Sequence, residues 1–95
     1  MSFLTDVFGS HLNSSGVVFA GPCRIGGYQI KPGGTAGQID FYNNSSEASG
    51  DILFSIDVTT NTAIISTLLP GDGIRFSNGC YVVLPSGTSI TAFYG

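Results

Sequence analysis

Ninety-five residues make one domain with a single core, and at this size about 60–70% of the unfolded chain's surface is buried on folding. Only 9% of the residues are charged, three basic and six acidic, where an ordinary soluble domain carries about 25%. With Arg24, Lys31 and Arg75 as its whole basic complement and a net charge of −3, the chain lacks the phosphate-facing patch that binding nucleic acid by counterion release requires.

No apolar run approaches the ~20 residues needed to cross a bilayer. The opening MSFLTDVFGSHL has neither a basic start nor an unbroken apolar stretch, so it does not read as a secretory leader. Cys23 and Cys80 are therefore expected to be reduced, buried thiols, with a disulfide possible only if their strands are neighbours. The Asn-x-Ser sequons at Asn13, Asn43 and Asn44 become surface turn residues on the same ground.

Residues 1–15 read as an N-terminal arm. Phe3, Leu4, Val7 and Phe8 fall at i, i+1, i+4 and i+5, a stripe suited to about two helical turns that Gly9-Ser10 would end. Such a stripe either packs back on its own domain or docks on another subunit.

Residues 16–95 read as a β-domain, with fourteen glycines and many Ser, Thr and Asn residues punctuating β-branched and aromatic runs. Residues 17–19 form a short strand and Gly21-Pro22 a break. Residues 23–25 resume the strand, Gly26-Gly27 invites a bulge or a sharp bend, and residues 28–31 continue with alternating character. Pro32-Gly33-Gly34 turns the chain. In residues 37–42, Ile39 and Phe41 share one face while Gln38, Asp40 and Tyr42 share the other. NNSSEASG, residues 43–50, is an exposed loop.

Residues 51–59 make the clearest amphipathic strand, with Ile52, Phe54, Ile56 and Val58 on one face. Residues 63–69 and 80–84 are apolar on both faces. Between them Pro70-Gly71-Asp72-Gly73 and then Ser77-Asn78-Gly79 each signal a reversal, the second as a hairpin. A last strand spans residues 89–94. The expected fold is all-β: a small sandwich or jelly-roll-like barrel of 7–8 short antiparallel strands carrying an N-terminal arm.

A strand in a lone sandwich buries one face only, so the two-sided apolar strands carry more greasy surface than one core uses. Few charges guard that surplus against association. Assembly into an oligomer follows as an expectation. The candidate subunit-contact residues are Phe3, Leu4, Val7 and Phe8 in the arm, with Ile90 and Tyr94 in the last strand.

Catalytic chemistry has little to work with. His11 is the sole histidine, and no Cys-x-x-Cys or His-x-x-x-His spacing suggests zinc. No Gly-x-Ser-x-Gly elbow accompanies a Ser-His-Asp set. Glu47, Asp51, Asp57 and Asp72 are too scattered to face each other across a glycosidase cleft. Asp72 lacks the oxygens calcium needs and reads as a turn residue. The glycine pairs precede no helix, so they cradle no phosphate. The expectation is a non-enzyme without metal or cofactor. Tyr28, Tyr42, Tyr81 and Tyr94 leave a different option, a carbohydrate- or receptor-binding module, although tyrosine equally suits cores and interfaces.

The stretches TDVFGSHLNSSGVVFAGPCRI, LLPGDGIRFSNGCYVVL and SITAFYG resemble small virion-associated structural proteins of tailed bacteriophages, of the marine podovirus and cyanophage type. The likeness runs over nearly the whole chain, but in turns and strands rather than in a catalytic signature. It implies a non-enzymatic protein of the virion, present in several copies as a capsid-decorating or head–tail or tail accessory protein. Its partners would be other copies of itself and other virion proteins. Assembly would take place in the host cytoplasm, a reducing compartment that suits unpaired thiols. No functional residues come with the resemblance.

Overall fold

Period-two alternation of buried and exposed side chains shapes the structure, a computed structural model that describes residues 8–34, 36–59, 64–69, 71 and 73–95. Nine strands form: β1 Phe8–Leu12, β2 Gly16–Phe19, β3 Cys23–Lys31, β4 Gly37–Asn43, β5 Ile52–Val58, β6 Ile65–Leu68, β7 Ile74–Phe76, β8 Cys80–Val83 and β9 Ser89–Tyr94. Every pairing is antiparallel. In β3, Cys23, Ile25, Tyr28 and Ile30 point inward while Arg24, Gln29 and Lys31 point out, the phase slipping once at the expected Gly26-Gly27 bulge.

The strands divide into a front sheet ordered β1-β9-β3-β6, with β7 also on β3, and a back sheet ordered β2-β8-β4-β5. β1 pairs with β9, β2 with β8, β3 with β6 and β4 with β5. The chain is thus one long antiparallel ribbon, doubled back at the loop of residues 43–50. The ribbon is then rolled until β9 meets β3 and β8 meets β4. That strand order is a jelly roll, and the all-β sandwich read from the sequence is the fold observed.

Between the sheets lie Ile25, Ile30, Phe76, Ile90 and Ala92 from the front and Ile39, Phe41, Cys80 and Val82 from the back, all fully buried. Phe41 stacks on Phe54 with ring centroids 4.1 Å apart, and Phe76 meets Phe54 edge-on at 6.2 Å, so rings from both sheets interlock. Each such side chain contributes roughly 1.5–3 kcal/mol by leaving water.

One end of the sandwich is closed by backbone. The turn of residues 85–88 carries the Thr88 N–H to the Pro85 carbonyl at 3.1 Å, with Gly87 at φ +81°, the conformation a type II turn demands of its third residue. Gly33 lies so close against this turn that a Cβ there would fall on the Gly87 carbonyl.

Four expectations change. Phe8–Leu12 is a strand of the front sheet rather than the tail of a helical arm, because Phe8 and Leu12 lie opposite Tyr94 and Ile90 in the ladder. The sandwich therefore already includes Phe8–Leu12, before residue 16, which brings the strands among the described residues to nine; Phe3, Leu4 and Val7 lie outside those residues. The Asn78-Gly79 reversal is not a hairpin. β7 belongs to the front sheet and β8 to the back, so residues 77–79 are a corner between sheets. The Asn43 side chain holds it, accepting from the Asn78 N–H at 2.8 Å and donating to Ser77 Oγ at 3.1 Å. Finally, a register shift between Phe41 and Tyr42 takes Ile52 off the inward face of β5, leaving it 47% exposed.

Candidate functional site

At the end opposite Gly33, aromatic rings line an open groove of about 300 Å³. Phe8 begins β1, Tyr94 ends β9 beside it, and Phe19 arrives from the end of β2. Tyr94 sits between the other two, its ring centroid 5.6 Å from Phe8 and 5.0 Å from Phe19. Pro22, Cys23 and Gly95 complete the lining. Phe8 and Phe19 stay 55% and 40% exposed, so their rings are held in place without being covered.

Of the candidate contact residues, the fold brings Phe8 and Tyr94 together here. Ile90 is corrected: its side chain is wholly buried between Ile30 and Leu12 in the ladder and has no surface to offer a neighbour. Phe19 was missed, since residues 17–19 read only as a short strand. Its signal was position, an aromatic ring at a strand end just before the Gly21-Pro22 break.

The outer face of the front sheet carries two transverse rows. His11, Thr91, Gln29 and Ser66 lie in register across four strands and form a polar row. Asn13 Oδ1 can only accept, so His11 Nε2 donates to it at 3.1 Å, while Nδ1 and Thr91 Oγ1 share a hydrogen bond at 2.7 Å. Ser89 Oγ also donates to Asn13 Oδ1. His11 is thus a residue of β1 with both ring nitrogens engaged. The neighbouring row is Gly9, Phe93, Gly27 and Leu68. The Phe93 ring lies over Gly9, and Leu68 stands 85% exposed.

On the outer face of the back sheet the corresponding row is Val17, Tyr81, Tyr42 and Ile52. The two tyrosines are direct cross-strand neighbours and half-buried, whereas Tyr28 is taken into the core.

Both thiols are free and buried. Burial raises the Cys80 thiol far above the ordinary range, with the nearby Cys23 thiol adding a smaller push in the same direction; burial alone raises Cys23. Neither is a poised nucleophile. Among the described residues no cluster of His, Cys, Asp and Glu is arranged to hold a metal ion, and no helix is long and apolar enough to cross a membrane. Comparison with known protein families, curated proteins and solved structures finds no match.

Proposed function

We propose that this chain is a non-enzymatic structural protein of a tailed-bacteriophage virion, assembling in several copies in the host cytoplasm as a capsid-decorating or head–tail or tail accessory protein. The observation that carries the reading is the groove walled by Phe8, Phe19 and Tyr94. Large rings held rigid but open to water are what a protein–protein contact buries, since aromatic anchors in pockets dominate such interfaces. The sequence resemblance supplies the setting. A jelly roll is at home in viral capsids and in lectins, so the fold agrees without choosing between them.

Purified particles of the phage that encodes the chain should contain it at many copies each, counted by quantitative mass spectrometry. Its absence from washed particles would overturn the reading. Phe8→Ser together with Phe19→Ser should leave the chain folded and remove it from the particle.

A second reading, a carbohydrate- or receptor-binding module, is favoured by one observation, the Tyr42–Tyr81 pair on the outer face of the back sheet. Paired rings of this kind can stack a sugar face. A glycan array would then show binding lost on Tyr42→Ala or Tyr81→Ala, and a blank array ends that alternative.

A further inference from the structure

Among the described residues the sandwich separates its charges by face. Arg24, Lys31 and Arg75 are all the lysine and arginine the chain has, and all three are exposed on strands of the front sheet. Arg24 projects outward between buried Cys23 and Ile25, Lys31 outward after buried Ile30, and Arg75 outward before buried Phe76. His11 occupies the same face. The back sheet has no cation. It shows Asp40, projecting outward between buried Ile39 and Phe41, and Asp57, beside buried Val58 and opposite Gln38. Glu47 and Asp51 lie in the loop joining β4 to β5. The remaining acids, Asp6 and Asp72, lie outside the described residues.

Among the described residues this arrangement is unrelieved. Arg24 and Arg75 are direct cross-strand partners, a like-charge pairing that destabilises a sheet, and no ion pair forms among the described residues. Each charged face also carries an exposed apolar centre: Phe93 and Leu68 in front, Ile52 and Leu53 behind, beside the half-buried Tyr42 and Tyr81. Apolar centres rimmed by opposite charge are the composition of two surfaces that fit one another.

We propose that copies of this chain stack front face on back face. The proposal rests on the multi-copy reading above and names its contact. The occupant is a second copy because the two complementary surfaces are on the same chain. A two-fold contact of front on front would oppose arginines, and back on back would oppose aspartates. The contact is therefore heterologous, and repeats of it close into a ring or run on as a column.

The test is sedimentation velocity on the full-length chain and two charge-reversed variants. One carries Arg24→Glu and Lys31→Glu, the other Asp40→Lys and Asp57→Lys, with circular dichroism confirming the fold of each. Either variant alone repels itself, and its self-association should weaken at least tenfold. Mixed in equal amounts, the two should reassociate to near wild-type strength, since each then meets a partner of opposite sign; this rescue also shows that both are folded. Wild-type association should weaken as salt rises from about 0.01 M to about 1 M, where the screening length falls from ~30 Å to ~3 Å. An oligomeric wild type whose variants associate unchanged, or are not rescued by mixing, overturns the stack while leaving the multi-copy reading intact. A wild type that stays monomeric at every concentration overturns both.

Discussion

At one end of the sandwich the turns of residues 32–34 and 85–88 meet backbone against backbone; at the other, Phe8, Phe19 and Tyr94 stand around open space. At the closed end Gly33 and Gly87 meet without side chains, and Gly33 has no room for an added Cβ. The open end uses the largest rings available and leaves them wet. The contrast separates an end where backbone packing is complete from an end where ring area stays open to solvent.

The strongest way to break this comparison is at Gly33. Gly33→Ala sets a Cβ on the Gly87 carbonyl, so one of the two turns must move, and unfolding in denaturant should show a loss of about 3 kcal/mol. Gly34→Ala is the control. That residue has φ +88° with no atom near its would-be Cβ, and should lose only about 1 kcal/mol. Equal losses would mean that conformation, not close approach, closes this end.

The thiols probe the open end and the core behind it. Their raised values mean that the unfolded chain ionises first as pH rises. The thiols' contribution to stability is therefore level below about pH 9 and falls above it, by up to about 1.4 kcal/mol per pH unit for Cys80, with Cys23 adding to the fall in the same direction. Denaturation midpoints measured from pH 7 to 10.5 should show the fall, and Cys80→Ala should shrink it. A slope identical in that variant would show that Cys80 does not contribute.

Thr88 is the flaw in the closed end. Its Oγ1 is buried without a hydrogen-bond partner, and the residue is fully inaccessible. Thr88→Val exchanges that hydroxyl for a methyl group of similar size and should stabilise by about 1 kcal/mol. A loss of stability would show that the hydroxyl is satisfied. Smallest of all, Phe8→Ser or Phe19→Ser should change the monomer's stability by about 1 kcal/mol or less, because the two residues are already 55% and 40% exposed. A larger loss from either would move the groove from contact reserve to core.

Much of the fold was legible because alternation is local. Ile39 and Phe41, or Ile90 and Ala92, announce strands whatever lies beside them, and Gly26-Gly27 announces a bulge. Which sheet a strand joins is not local. Asn78-Gly79 offers the backbone freedom a hairpin needs, and a corner between sheets needs the same freedom, with Gly79 at φ +142°. Phe8 matched a helical stripe with Val7 and Leu4, and only the partner strand β9 shows it to be the start of β1. The charge separation was hidden for the same reason. Arg24, Lys31 and Arg75 are scattered in sequence and share a face only after the ribbon has rolled. Of the candidate contacts, Tyr94 and Phe8 converge, while Ile90 was misjudged because apolar character in a last strand does not reveal which way it points.

The rolled ribbon also sets the order of events in synthesis. β1 pairs only with β9 among the described strands, so β1 has no partner until residues 89–94 have been made. Such distant pairings fold slowly, because long loops must close before any contact rewards them. Until residues 89–94 leave the ribosome, the apolar strands behind them have no finished sheet to enter and stand exposed to aggregation. The nascent chain is thus a natural client for chaperones, and its yield should rise when translation is slowed or chaperones are co-expressed.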